Sequence, residues 1–116
     1  MARVYGMHRL VLKSGEDPRE FERYAAEVVY PALDGIPGLS WRLLKGYAGD
    51  REGKYLALFE FDSEERLSRY ISGHQGEFSE EFEALLAPVS TKLERLGEFL
   101  VSMSDPASTD YVVVGE

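Results

Sequence analysis

The segment LSWRLLKGYAGDREGKYLALFEF, residues 39–61, contains two runs of strand-forming residues separated by a glycine-rich turn. The first run covers 39–47, the turn covers 49–53, and the second run covers 54–61. Apolar and aromatic runs bounded by glycine and charged residues are typical of antiparallel strands joined as a hairpin. The segment therefore predicts an antiparallel hairpin near the middle of the chain.

The flanking residues predict a strand and a helix on each side of this hairpin. A strand is predicted at 4–12, and a helix begins after Asp17, because Asp17 and Pro18 suit its N-cap and first position. Two helical segments follow the hairpin, the longer one interrupted at Pro88, and a strand is predicted at 99–104. The order β-α-β-β-α-β predicts an α+β, ferredoxin-like domain at 1–104, with an antiparallel sheet and both helices on one face. Residues 105–116 are predicted to be a C-terminal extension with a short strand at 111–114.

The composition excludes several classes of protein. The chain has 116 residues, no cysteine, 13 basic and 21 acidic residues, and a net charge of −8. The absence of cysteine excludes a disulfide scaffold, a thiolate zinc site and a cysteine nucleophile, and an acidic chain is a poor partner for nucleic acid. The sequence shows no signal-peptide pattern and no run of ~20 apolar residues, so we expect a cytoplasmic protein with no membrane partner.

Both faces of the predicted strands are largely apolar, which is unusual for a sheet with helices on one side only. In the run at 54–61, alternate residues form two sets, Tyr55, Ala57, Phe59 and Phe61 against Leu56, Leu58 and Glu60. A sheet wetted on one face would instead alternate apolar and polar residues. We therefore expect a homodimer with its sheets face to face, in which the strand at 111–114 can pair with an edge of the partner sheet.

The element order, the hairpin and the phrase YLALFEFDS at 55–63 resemble the dimeric α+β-barrel superfamily. Its members include antibiotic-biosynthesis-monooxygenase-like, NIPSNAP-like and EthD-like proteins. The resemblance implies a dimer whose two sheets form a barrel, with a small-molecule cavity under the helix-free face of each sheet. It also implies a small aromatic or lipophilic ligand and, as in some relatives, a cofactor-independent oxidation or isomerisation.

The resemblance does not extend to the residues that hold haem in the haem-degrading members. In those relatives a helix histidine ligates the haem, with an asparagine on the first strand and a tryptophan on the third. This chain has no asparagine, and its single tryptophan, Trp41, lies on the second predicted strand. Its two histidines are far apart and form no His-x-x-x-His motif, so we expect no metal and no cofactor.

Polar residues on otherwise apolar strands are the first candidates for a site. We predict a hairpin register in which Tyr47 pairs with Tyr55. This register places Arg42 opposite Glu60 on one face of the sheet. Such a pair can anchor a carboxylate or phenol, or tune Glu60 as a catalytic base. The alternative is a purely structural cross-strand ion pair.

The two histidines and Arg9 form the second group of candidates. His8 and Arg9 are neighbours on the first strand, so alternation sends one of them toward the barrel. His8 is a candidate acid–base group, with a hydrogen-bonded packing residue as the alternative. His74 follows a predicted helix between glycines, and is either a substrate-binding residue or a histidine that favours the helix dipole.

Aromatic residues of the hairpin complete the candidate set. Trp41, Tyr47 and Tyr55 can line a pocket for a flat aromatic ligand, and the alternative is that they belong to the core. Two functions fit the residues: an enzyme that uses Glu60 or His8 as a base, and a non-catalytic ligand sensor or assembly module. An amino-acid-binding regulatory domain shares the element order, but it usually accompanies a catalytic domain. Convergence of Glu60, Arg42 and a residue of the first strand on one pocket would favour the enzyme.

Overall fold

The computed structural model describes residues 2–72, 77–101 and 109–115, which contain six strands and three helical stretches. The strands are β1 (Val4–Leu10), β2 (Leu39–Lys45), β3 (Tyr55–Phe61), β4 (Ile71–Ser72), β5 (Glu77–Phe78) and β6 (Thr109–Val112). Four of them form one antiparallel sheet in the order β2-β3-β1-β6, while β4 and β5 pair as a small separate hairpin. This strand order confirms the predicted ferredoxin-like α+β fold.

The three helical stretches are α1 at 18–34, α2 at Glu64–Tyr70 and α3 at 80–98. The Asp17 carboxylate accepts a hydrogen bond from the backbone N–H of Arg19 at 2.9 Å, so the predicted N-cap of α1 is confirmed. The middle of α1, Ala25–Val29, is a π-helix. Pro88 lies in a 3₁₀ turn, Ala87–Val89, that interrupts α3 at the predicted place.

The C-terminal part of the chain differs from the prediction. Phe99 closes the last turn of α3, where its ring packs on Phe21 at 5.6 Å. Leu100 then forms an antiparallel bridge with Leu12, flanked by backbone hydrogen bonds from Lys13 N–H to the Phe99 carbonyl and from Val101 N–H to the Val11 carbonyl, each 2.8 Å long. Among the described residues, the fourth strand of the sheet is β6, which begins two residues before the short strand predicted at 111–114 and overlaps it. It pairs with β1 of its own chain, because that edge is open and intrachain pairing costs only the closure of a loop. The remainder of the predicted strand at 99–104 lies largely outside the described residues.

Strand alternation gives the sheet one covered and one open face, as the sequence predicts. The helices pack on the covered face, whose residues are Val4, Gly6, His8, Leu10, Leu39, Trp41, Leu43, Tyr55, Ala57, Phe59 and Phe61. The open face carries Tyr5, Met7, Arg9, Ser40, Arg42, Leu44, Leu56, Leu58, Glu60 and Tyr111. All of these open-face side chains are half-buried or exposed, so no helix of the described residues seals them.

Aromatic contacts between the helices and the covered face build the core. Phe21 of α1 is fully buried, with its ring 5.0 Å from Tyr55 of β3 and 5.6 Å from Phe99. Tyr70 of α2 stacks on Phe82 of α3 at 4.7 Å, which joins the two later helices. Edge and offset ring contacts of this kind add stability beyond the area they bury.

We expect the Phe21→Ala variant to lose about 3–5 kcal/mol of unfolding free energy, because it removes a fully buried ring that joins α1 to the sheet. Urea denaturation followed by tryptophan fluorescence measures this loss. Phe78→Ala is the matched control, because the Phe78 side chain is 49% exposed and its removal should cost less than about 1 kcal/mol. Equal losses in the two variants would show that α1 does not dock through Phe21.

Candidate functional site

A polar row crosses the open face of the sheet at Glu60. Tyr5 and Ser40 are the cross-strand neighbours of Glu60 on either side, and their hydroxyls donate to its carboxylate at 3.3 Å and 3.4 Å. The Arg3 guanidinium lies 3.6 Å from the same carboxylate, and Tyr111 continues the row beside Tyr5 on β6. The row therefore holds Glu60 in a fixed position at one end of an otherwise apolar face.

The predicted register of the hairpin is wrong by two residues. The structure pairs Lys45 with Tyr55, so the neighbour of Arg42 on β3 is Leu58. The strand stops early because the chain folds back at Gly46, where a Cβ would clash with the carbonyl of Arg51. A shift of two residues keeps every side chain on its predicted face, since the side-chain period of a strand is two.

Arg42 does not pair with Glu60. Its guanidinium turns around the exposed edge of β2 and bonds the Asp34 carboxylate at 3.0 Å and 3.2 Å. It also lies 4.5 Å over the Tyr30 ring of α1. The hydrogen bonds to Asp34 raise the pKa of Arg42 above its usual range. Arg42 is therefore engaged in attaching β2 to α1, away from Glu60.

The two residues of β1 proposed for the site point in opposite directions. His8 lies on the covered face, where its imidazole meets the Phe59 ring edge-on at 5.3 Å. Arg9 lies on the open face and is exposed. The candidate bases His8 and Glu60 are consequently on opposite sides of the sheet, so they do not converge on one pocket.

The aromatic candidates Trp41 and Tyr47 lie in different environments. Trp41 is 3% exposed and packs between Tyr30, at 5.9 Å, and Phe59, at 6.5 Å, so it belongs to the core. Tyr47 is 94% exposed in the hairpin loop, because the strand ends before it. His74 lies outside the described residues.

Asp110 of β6 lies near His8, and the sequence did not predict this proximity. Asp110 pairs with Gly6, so its carboxylate lies over the glycine on the covered face. A Cβ on residue 6 would lie 2.8 Å from Asp110 Oδ1 and 3.8 Å from His8 Nε2. A glycine inside a strand commonly marks a place where another group comes close, which is the signal that the sequence offered.

A second carboxylate cluster ties α1 to the other end of the sheet. The Tyr55 hydroxyl donates to Glu22 Oε2 at 2.5 Å, and Lys45 Nζ lies 3.0 Å from the same oxygen. The hydrogen bond from Tyr55 lowers the pKa of Glu22 most, and the contact with Lys45 lowers it further. Burial raises the pKa of Tyr55. The cluster is a structural clamp, because every polar group in it has a protein partner.

A shallow cleft of about 330 Å³ lies beside α2 and is lined by Asp62, Ser63, Glu65, Arg66 and Arg69. Arg66 pairs with Asp62 at 3.2 Å, and Arg69 pairs with Glu81 at 2.6 Å. Because both guanidinium groups already have carboxylate partners, the cleft has little excess charge with which to attract an ionic ligand.

The described residues hold no group of three or more metal-ligating side chains placed to share an ion. In the same part of the chain, no helix has both the length and the apolar character required to cross a bilayer.

Comparison with solved structures finds a similar fold in the crystal structure of an ethyl tert-butyl ether d (EthD) family protein from Bacillus halodurans C-125. The alignment covers 97% of each chain, with a TM-score of 0.50 and 16% sequence identity. No protein-family model and no curated protein matches the sequence. At this identity the likeness shows the fold alone, and it supports the ferredoxin-like α+β architecture on which the predicted superfamily is built.

We expect the Tyr55→Phe variant to lose about 1 kcal/mol at pH 7, because Glu22 loses a hydrogen-bond donor. The folded state lowers the pKa of Glu22 below its ordinary value of 4.5, so its ionised form stabilises the fold above pH 4.5. That stability is lost as the pH falls through the lower, folded-state pKa. The difference between wild type and variant should therefore shrink below pH 4.5.

Urea unfolding at about pH 7 and about pH 3.5 measures this difference. The control is Tyr47→Phe, which removes a hydroxyl from a side chain that is 94% exposed and should change stability at neither pH. A difference that is equal at both pH values would contradict a bond to the ionised carboxylate.

Proposed function

We propose that this chain acts as a homodimer, with its two open sheet faces packed together, and that each copy binds a small aromatic or lipophilic molecule. The observation that carries the proposal is the division of the sheet into an open apolar face and a covered face that is sealed incompletely at His8. In this proposal the open face serves assembly, and the partly exposed rings of His8 and Phe59 on the covered face serve the ligand.

The apolar residues of the open face are contiguous. Met7 lies beside Leu58, and Leu44 lies beside Leu56, so neighbouring strands contribute to one patch. Monomeric proteins rarely leave a broad contiguous apolar patch in water, and a second copy of the same face is the simplest cover.

The charges at the two ends of the open face favour one arrangement of the copies. Glu60 lies at the end of the face where β1 begins, and Arg9 lies at the end where β1 finishes. A two-fold axis in the plane of the interface and across the strands brings the Arg9 end of one sheet onto the Glu60 end of the other. Opposite charges then meet at both ends of an apolar centre.

The covered face offers the better place for a ligand once the open face is used for assembly. His8 and Phe59 are only half-buried although they lie on the helix side of the sheet, and the buried Trp41 packs beside Phe59. Edges and faces of aromatic rings favour a flat, apolar molecule. Because Glu60 lies on the other face, this arrangement supports binding more directly than catalysis by both candidate bases.

We expect the wild-type chain to sediment as a dimer at micromolar concentration and the Leu58→Asp variant to sediment as a monomer. The substitution places a charge at the centre of the apolar patch, where its desolvation opposes association. Sedimentation velocity measures the mass, and circular dichroism checks that the variant remains folded.

Val114→Asp is the control for this experiment, because Val114 is 94% exposed and lies outside the four-stranded sheet. It should leave the dimer unchanged. A monomeric wild type, or a folded Leu58→Asp variant that remains dimeric, would contradict assembly through the open face.

We expect 1-naphthol, as a flat aromatic probe, to bind the wild type with saturation and to perturb the amide resonances of Gly6, His8 and Phe59 in ¹H–¹⁵N NMR spectra. The Phe59→Leu variant should bind the probe about fivefold more weakly, because an aromatic contact is worth about 1 kcal/mol. Phe78→Leu is the matched control and should not change the affinity, since Phe78 lies in the small hairpin. Absence of saturable binding to the wild type would contradict the proposed ligand site.

A further inference from the structure

We propose that Tyr47 of each copy packs onto the guanidinium groups of the α2 cleft in the other copy of the dimer. The α2 cleft is the shallow cleft lined by Asp62, Ser63, Glu65, Arg66 and Arg69. The proposal rests on the proposed face-to-face dimer and adds to it a second contact, which the open faces do not supply. Each cleft is then incomplete without a residue from the partner copy.

The hairpin loop between β2 and β3 holds Tyr47 in an ordered but exposed position. The Gly46 N–H donates to the carbonyl of Lys54 at 2.8 Å, which closes the loop at its base. The Arg51 guanidinium donates to the Tyr55 carbonyl at 3.1 Å, which attaches the loop to the start of β3. The loop is therefore held together by its own hydrogen bonds, although the Tyr47 side chain is 94% exposed.

An exposed aromatic side chain on an ordered loop is well suited to bind another protein surface. Among the described residues, the Tyr47 side chain has no hydrogen bond and no ring contact, so its ring is free to dock. Because the loop is already ordered, docking costs little conformational entropy, and tyrosine is among the residues that contribute most at protein interfaces.

The α2 cleft offers flat guanidinium surfaces rather than free charge. Arg69 donates to both oxygens of Glu81, at 3.1 Å and 2.6 Å, and Arg66 donates to both oxygens of Asp62, at 3.2 Å and 3.3 Å. Such bonds lie in the plane of a guanidinium and leave its faces available, and the Arg69 side chain is 58% exposed. A guanidinium face stacks on an aromatic ring, so an uncharged aromatic side chain suits this cleft better than an ion does.

The loop and the cleft lie at opposite ends of β3, which identifies the occupant as a second copy. The loop precedes Tyr55, and the cleft begins at Asp62, directly after Phe61. The strand between them keeps them roughly 20 Å apart, so the loop does not reach the cleft of its own chain. In the proposed dimer the Arg9 end of one sheet lies on the Glu60 end of the other. The loop extends from the Arg9 end and the cleft lies at the Glu60 end, so the two meet twice across the interface.

We expect Tyr47→Ala to raise the dissociation constant of the dimer about 25-fold, because an exposed cation–π contact is worth roughly fivefold and the two-fold axis forms it twice. Tyr47→Phe keeps the ring, and its dissociation constant should stay within about twofold of the wild type. Analytical ultracentrifugation over a dilution series measures these constants, and circular dichroism checks each fold.

The cleft side of the contact is tested with Arg69→Gln, which removes the flat cation and should weaken the dimer by a similar factor. The double variant with Tyr47→Ala should be no weaker than either single variant, since both substitutions remove the same contact. Additive losses would show that Tyr47 and Arg69 act separately and would overturn the proposed contact.

The absence of cysteine from the chain allows a direct test of position. Tyr47→Cys chains are mixed with Arg69→Cys chains, allowed to exchange, and treated with a short bismaleimide crosslinker. We expect a covalent dimer joined through positions 47 and 69. Glu98→Cys replaces Arg69→Cys in the control, because the Glu98 side chain is also exposed but lies at the end of α3, away from the partner's loop.

The outcomes separate this contact from the dimer on which it rests. A wild-type dimer whose affinity is unchanged by Tyr47→Ala, or that yields no crosslink between positions 47 and 69, would overturn the contact and leave the face-to-face dimer intact. A monomeric wild type would overturn both.

Discussion

The packing of α1 against the sheet through Phe21 is the interaction on which the rest of the structure depends. The Phe21 ring of α1 packs against Tyr55 of β3 and Phe99 at the end of α3, so one side chain joins both of these helices to the central hairpin. Once α1 lies on that face, strand alternation decides the environment of every other strand residue. The helices pack on one face, and no helix of the described residues lies over the other.

The sequence predicted those features that depend on periodicity. The two faces of β3 were predicted correctly even though the register of the hairpin was wrong by two residues, because a shift of two restores the same alternation. The caps and breaks that rest on local chemistry, such as Asp17 before α1 and Pro88 within α3, were also predictable. The fold could therefore be identified without knowing which residues are opposite one another.

The candidate site was harder to predict, because its geometry depends on contacts between distant segments. Arg42 finds Asp34 around the sheet edge, which no strand pattern indicates. Gly46 ends β2 early and leaves Tyr47 in solvent, although both runs of the hairpin favour strand. Asp110 lies opposite Gly6 because β6 pairs with the edge of β1. Pairing between segments that are distant in sequence decides these positions, and a single sequence gives only a weak indication of such pairing.

The position of β6 at the rim of the sheet has a further consequence for how such a chain can diversify. The core is built by α1, α2, α3 and the strands β1, β2 and β3, whereas β6 adds a half-exposed edge. Substitutions in this last strand thus change the groups that face Gly6 at little cost to folding. The rim of the sheet formed by this C-terminal strand can therefore vary in sequence within this architecture while the hydrophobic core stays the same.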